Sequence, residues 1–241
     1  MSKHSKWAKV KHHKGAADAK RGQVFTKLAR NITVASREGG IDPEFNFKLR
    51  LAIDQAKAAN MPKDNIERAI ARGAGSGAEG ELKELTYEAF GPGGSAFIIT
   101  AYSDNVNRTA SEIKHILSKN GGNLAGAGAV IWQFKKLGVA HFAKEKVKDS
   151  ARQDFELKLI DAGALDILDE DGEIVVYAKP EELAKIKKIF DDQKITPETV
   201  AIEYVAKESV ELNAEDESRA EILLEAIDEN NDVNEIFTNI K

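Results

Sequence analysis

The sequence predicts an α+β protein with an N-terminal three-helix bundle-like domain and two ferredoxin-like α+β domains, the third inserted into the second. Apolar residues recur at helical spacing until about Gly73, and short strands alternate with helices beyond the glycine-rich stretch 73–80. The first α+β module also lacks its last helix and strand, which residues 211–241 can supply. The predicted domains are therefore 1–80, 81–134 with 211–241, and 135–210.

The first helix is predicted to begin at about Asp18 and to stop at Gly39 and Gly40. Five apolar side chains fall within one arc of its helical wheel: Val24, Phe25, Leu28, Ile32 and Ala35. Four basic side chains cluster on the opposite side: Lys20, Lys27, Arg30 and Arg37. This pattern predicts a helix that packs one face into a bundle and presents a basic stripe to solvent.

The second helix is predicted to begin with Asp42 as its N-cap, to bury Phe45 and to end near Asn60. A third short helix follows, in which Asp64 and Glu67 have the spacing of a capping box. Strands are then predicted at 82–90, 95–102, 129–134, 138–142, 173–177, 200–205 and 233–240, and helices at 107–120, 154–162, 181–191 and 215–228.

Charge is strongly segregated along the chain. The formal net charge is −5, but the first 37 residues contain ten Lys and Arg and one acid, so residues 38–241 carry −14. Such segregation indicates one end that meets a polyanion and a body that repels polyanions. Residues 1–17 show no helical or strand periodicity, and we expect them to form an arm that orders only against a partner.

This arm interleaves cations with one large aromatic side chain, a composition that suits phosphate contacts and stacking on an exposed base or sugar. In the alternative interpretation, Trp7 packs on the helical bundle and the lysines form a solvated face. The acidic remainder of the chain favours nucleic acid. The expected nucleic-acid-binding residues are Lys3, His4, Lys6, Trp7, Lys9, Lys11, His12, His13, Lys14, Lys20, Arg21, Lys27, Arg30 and Arg37.

Asn107, Arg108 and Thr109 form a possible second anion site, because they lie where a predicted helix begins. A helix-capping network would explain the same residues equally well. The glycine-rich stretch 121–128 does not fit a nucleotide site, since it leads from a helix to a strand and not from a strand to a helix. The chain has no cysteine, and the histidines of the arm have no carboxylate at ligand spacing. We therefore expect no catalytic residues, no metal site and no cofactor.

The compartment is also constrained by composition. The lack of cysteine fits a reducing environment. No apolar run approaches the ~20 residues that span a bilayer, and no apolar segment of a secretory signal follows the basic N-terminus. We expect a cytoplasmic protein with no membrane partner.

Several long segments are similar to one family. They are HSKWAKVKHHKGAADAKRGQVFTKL, LRLAIDQAKAANMPKDNIERAIARG, and YEAFGPGGSAF followed by DNVNRTASEIKHILSKNGGNLAGAGAVIWQF. Over nearly the whole chain, and most closely over residues 4–134, the sequence resembles the YebC/PmpR family, which includes the mitochondrial translational activator of cytochrome oxidase. The resemblance implies three domains, the third inserted into the second, and a cytoplasmic, non-enzymatic regulatory factor.

The resemblance leaves the partner open. Bacterial members are generally described as DNA-binding transcriptional regulators, whereas others act in translation on ribosomes stalled at proline-rich stretches, which implies rRNA or tRNA. The arm suits irregular single-stranded RNA better than a B-form groove. Arg68 and Arg72 share their predicted surface with acids, so no clean recognition helix is expected. A third interpretation is a protein partner that binds the acidic α+β domains.

Overall fold

The computed structural model describes residues 18–76, 82–170 and 172–241 and confirms the α+β class, with helices on the N-terminal side and two four-stranded sheets. The described chain forms two compact units. One is Lys135–Val205, and the other combines the residues before it with Ala206–Lys241. The chain therefore leaves the first unit after Phe134 and returns to it at Ala206. None of the described helices is long and apolar enough to cross a membrane.

The helices, in chain order, are α1 (Asp18–Gly39), α2 (Phe47–Ala58), α3 (Lys63–Ala71), α4 (Val106–Lys119), α5 (Asp149–Asp161), α6 (Leu183–Asp192) and α7 (Ala214–Asp228). The strands are β1 (Lys83–Phe90), β2 (Ala96–Ser103), β3 (Asn123–Ala125), β4 (Phe134–Ala143), β5 (Ala164–Glu170), β6 (Glu173–Ala178), β7 (Thr199–Ala206) and β8 (Val233–Thr238).

Helices α1, α2 and α3 pack around a small apolar core. The core face of α1 follows the predicted spacing, with Ile32 and Ala35 fully buried and Phe25 and Leu28 packed beside them. Asn60 follows α2 in the left-handed conformation, with a φ of 59°, which ends the helix as expected. The other core residues are Leu49, Ala52, Ile53, Ala56, Met61, Ile66 and Ala69.

The start of α2 differs from the prediction. Asn46, not Asp42, is the N-cap, and its side-chain oxygen accepts from the Leu49 backbone N–H at 3.0 Å. The Asn46 amide also donates to the carbonyl of Ala35 at 2.7 Å, so the cap joins α2 to α1. Asp42 begins a turn before the helix. Because the helix starts after this turn, Phe45 lies outside it and is 90% exposed, so its predicted burial is wrong.

The capping box predicted for α3 is also absent. Pro62 is the N-cap residue of this helix, and no side chain caps it. Because the helix starts at Lys63, Asp64 already lies inside the first turn, where its charge complements the helix dipole. Glu67 instead pairs with Lys63 at 3.3 Å.

The sheet of the first unit has the strand order β3-β1-β2-β8 and is antiparallel throughout. Strands β1 and β2 form the predicted hairpin, so they are neighbours, which differs from the strand order of a ferredoxin-like module. Helices α4 and α7 share the core of this sheet. The strand predicted at 129–134 is wrong, because Ile131–Gln133 is a 3-10 turn and β4 starts only at Phe134, whereas β3 had not been predicted.

The inserted unit has the strand order β5-β6-β4-β7. This is the split β-α-β arrangement of the ferredoxin-like fold, in which β6 lies between the two strands joined by α5. Phe142, Phe155 and Phe190 meet edge to face in its core, with ring centroids 5.1 to 5.7 Å apart. Strand β5 had not been predicted, because its acidic residues break the apolar pattern.

Candidate nucleic-acid interface

Most of the predicted binding residues belong to the N-terminal arm. Nine of them lie outside the described residues: Lys3, His4, Lys6, Trp7, Lys9, Lys11, His12, His13 and Lys14. Lys20 is on the first turns of α1, but its side chain is not described either. Arg21 is exposed near the start of the same helix.

The basic stripe further along α1 does not face solvent. The Lys27 ammonium lies 2.6 Å from the backbone oxygen of Asp228 and 2.8 Å from its carboxylate, and the Lys27 side chain is only 11% exposed. The Arg30 guanidinium contacts the carbonyl of Asn231 and lies 2.9 Å from the Asp232 carboxylate. Arg37 donates to the carbonyl of Leu82 at 3.5 Å. The prediction that this stripe faces solvent is thus wrong from Lys27 onward.

The reason is that one face of α1 docks at the end of α7. Gln23 and Lys27, four residues apart, donate to the last carbonyls of α7, at Asp228 and Glu229. A cation at a helix C-terminus is favoured by the helix dipole as well as by the hydrogen bond. These positive side chains therefore stabilise the molecule itself, and their charge is largely compensated inside it.

Asp232, in the turn before β8, accepts hydrogen bonds from two elements. Its two oxygens lie 2.9 Å from Arg30 on α1, and 2.8 and 2.7 Å from Arg108 and Thr109 on α4. The residue is only 5% exposed. Burial raises the pKa of the Asp232 carboxyl, but the hydrogen bonds from Arg108 and Thr109 and the charge of Arg30 lower it more, so the pKa lies below its ordinary value.

The N-terminus of α4 holds this carboxylate of the chain itself. Asn105 is the N-cap and accepts from the Arg108 backbone N–H at 3.1 Å, while Arg108 and Thr109 bind Asp232. Asn107 is exposed beside them. Of the two interpretations of Asn107, Arg108 and Thr109, the capping network is what the structure contains, and Asp232 takes the place of an external anion.

Sequence reasoning missed a second buried carboxylate, Glu88 on β1. It accepts from the backbone N–H groups of Gly128, Val130 and Ile131 at 2.6, 2.7 and 2.8 Å. Burial raises the pKa of Glu88, but these N–H donors lower it more, so the pKa is below its ordinary value. The only signal was the second of two acids, after Glu84, in a strand otherwise half apolar. Two N–H groups within 129–134, those of Val130 and Ile131, are therefore used by Glu88 and are not available for pairing with a strand.

No group of three or more His, Asp and Glu side chains within 18–76, 82–170 and 172–241 is placed to hold a metal ion. A shallow depression of the inserted unit is lined by Lys144, Glu145, Val147, Lys148 and Gly172.

This arrangement of helices and sheets occurs in a known family. The family model described as "TACO1/YebC protein N-terminal domain" matches residues 5–76, and the one described as "TACO1/YebC second and third domain" matches residues 82–240. The chain belongs to the TACO1/YebC family. This confirms the resemblance noted in the sequence, and the two matches together include residues 5–17 of the arm, both sheets and all the described helices.

Relatives within the TACO1/YebC family align along the whole chain. A protein of Kosmotoga olearia is 43% identical over 241 residues, covering 100% of this chain and 94% of its own length. One of Fervidobacterium nodosum is 45% identical over 240 residues, covering 99% and 93%. Both are named "Probable transcriptional regulatory protein". The crystal structure of a conserved hypothetical protein from Aquifex aeolicus has a TM-score of 0.86 at 39% identity and covers 98% of this chain and 97% of that one.

Proposed function

We propose that the protein is a non-enzymatic regulatory factor that binds nucleic acid in the cytoplasm through its N-terminal arm together with Lys20 and Arg21. The names of its relatives support a regulator. The segregation of charge supports a polyanionic partner, because ten of the 35 Lys and Arg fall within the first 37 residues.

One observation carries this proposal: positive side chains along α1 are already bound by carboxylates and a carbonyl of the protein itself. Lys27 and Arg30 bind carboxylates of α7 and of the turn that follows it, and Arg37 binds a backbone carbonyl. The other seven Lys and Arg of the first 37 residues all lie within residues 3–21, and we propose that these cations meet the external polyanion. Each phosphate contact that such a cation makes releases a counterion, which favours binding at low salt.

DNA is the first candidate partner, because the relatives are named transcriptional regulators. As a transcription factor the protein would bind promoter DNA and change the output of the adjacent genes. The arm would then supply phosphate contacts, which fix position on the duplex without reading its sequence.

RNA on the ribosome is a second candidate, favoured by the described helices. Sequence reading in duplex DNA needs a helix with free polar and basic side chains for the major groove. On α3, Arg68 donates to the Asp64 carbonyl and to the Asn65 side chain, and Lys63 pairs with Glu67. On the most basic helix, α1, Lys27 and Arg30 bind α7 and the turn that follows it. An aromatic, cationic arm suits single-stranded RNA better.

A salt series tests the role of the arm. Replacing Lys9, Lys11 and Lys14 by Ala should flatten the dependence of log Kd on log salt by about 2 to 3, since each phosphate contact contributes about 0.7 to 0.9 to this slope. The matched control replaces three exposed lysines elsewhere, Lys57, Lys114 and Lys119. An equal change in both triple variants would contradict a binding role of the arm. In-cell crosslinking with sequencing of bound DNA and RNA then separates promoters from rRNA or tRNA.

A further inference from the structure

Trp132 is an exposed aromatic side chain on the first unit, far along the chain from the arm. It is 64% exposed and belongs to the 3-10 turn at Ile131–Gln133. Its ring N–H donates to the carbonyl of Ala129 at 3.0 Å, within the same loop. The indole thus has a satisfied polar edge and an open apolar surface available to a partner.

The loop that carries Trp132 is held firmly from inside. The buried Glu88 carboxylate binds three backbone N–H groups of this loop, those of Gly128, Val130 and Ile131. Hydrogen bonds to an ionised acceptor are about twice as strong as neutral ones. On the outer side, the Lys207 ammonium contacts the carbonyl of Trp132. The ring is therefore presented by a preorganised loop, which reduces the entropy lost on binding.

The surface beside the indole is nearly free of side chains. Residues 125–129 are all Ala or Gly, and 126–128 are exposed. Gly128 has a φ of +85°, which favours glycine, but Gly126 has no positive φ, and a Cβ added there would meet no atom within 4 Å. Neither backbone conformation nor packing requires glycine at 126. Bare backbone at this position does allow a partner to approach the loop closely.

We propose that Trp132 is a stacking platform for an unpaired base of single-stranded nucleic acid, with the Lys207 ammonium beside it for a phosphate. This inference rests on the proposed function and assigns a second contact of the same partner. A base is favoured over an apolar peptide because Lys207 contacts a neutral carbonyl, which does not cancel its positive charge as the Asp228 carboxylate cancels that of Lys27. Base–aromatic stacking also tolerates any sequence.

Oligouridine binding by full-length variants tests the platform. Trp132→Ala should weaken binding about tenfold, the size of one lost base–aromatic stack, and Trp132→Phe should recover most of that loss. Gly126→Leu should weaken binding as well, by blocking the approach, while the thermal unfolding midpoint stays unchanged. Phe45→Ala is the matched control, since it removes an aromatic side chain that is more exposed than Trp132. Binding by the Phe45→Ala variant should equal that of the unaltered chain.

Fluorescence distinguishes the platform from the arm. In the Trp7→Phe background Trp132 is the single tryptophan, and oligouridine should quench its emission. If the unaltered chain binds duplex DNA but no oligouridine, the platform fails while the proposed function stands; if it binds neither, the proposed function fails as well. If it binds oligouridine but Trp132→Ala binds equally well and Trp132 emission is unchanged, the platform alone is refuted. Quenching by a proline-rich peptide, but not by oligouridine, would assign the surface to a protein partner and overturn the inference.

Discussion

Replacing Asp232 by Asn should destabilise the first unit substantially, because it removes a charge that joins two helices. The carboxylate accepts from Arg30, Arg108 and Thr109 at 2.7 to 2.9 Å and is nearly buried. An Asn amide keeps one acceptor oxygen but directs an NH2 group at a cation. The loss concerns both the contact of α1 with the turn before β8 and the start of α4.

The magnitude follows from burial. Removing one partner of a fully buried ion pair costs about 3 to 5 kcal/mol, because the other charge is left uncompensated. Here water can solvate part of the released charge, since the Arg108 side chain is 44% exposed and that of Arg30 24%. We therefore expect a loss of about 2 to 3 kcal/mol in the free energy of unfolding, with a fall of roughly 5 to 10 °C in Tm for a chain of this size.

Urea and thermal unfolding, followed by circular dichroism, measure this loss. Asp228→Asn is the matched control, because Asp228 pairs with Lys27 but is more exposed, and Lys27 keeps its bond to the Asp228 carbonyl. It should cost less than about 1 kcal/mol. Equal effects of the two substitutions would refute the role of Asp232 as the joint between α1 and α4.

Acid supplies an independent check on Asp232. Because its pKa is lowered in the folded protein, the carboxylate contributes stability above its unfolded pKa of about 4, and this contribution is lost as the pH falls through the folded pKa. The difference in stability between the unaltered chain and Asp232→Asn should therefore be constant near neutrality and shrink below about pH 4. A difference that persists undiminished in acid would mean that charge is not the cause.

Three further substitutions test other parts of the fold. Glu88→Gln should cost about 2 kcal/mol in urea unfolding and shift the emission of Trp132, because three N–H groups lose an ionised acceptor; unaltered emission would contradict a firmly held loop. Asn46→Ala should cost about 2 kcal/mol through loss of the α2 cap and of the bond to Ala35, whereas Asp42→Ala should cost less than half of that, and the reverse order would restore Asp42 as the cap. Phe45→Ser should change stability by less than about 0.5 kcal/mol, since the ring is almost fully exposed to solvent; a larger loss in thermal unfolding would show that Phe45 is covered.

Local sequence patterns predicted helices and strands correctly where a single pattern, such as helical periodicity, was unambiguous. The arc of Ile32 and Ala35 on α1 follows from helical periodicity, and the hairpin of β1 and β2 follows from strand patterns that flank turn residues. At the start of α2 two residues could serve as N-cap. Asn46 is used because its amide also reaches the Ala35 carbonyl, a tertiary contact that no local rule contains.

For the candidate interface, too, some features follow from the sequence and others only from tertiary contacts. Sequence alone determined the segregation of charge, the composition of the arm and the resemblance to the family, because each is a property of residue order. Only the tertiary structure decided which cations of α1 are compensated, since Lys27 and Arg30 meet carboxylates 201 and 202 positions later in the chain. Charge pairing depends on distance in space and on burial, and a helical wheel shows which side chains share a face but not what covers that face.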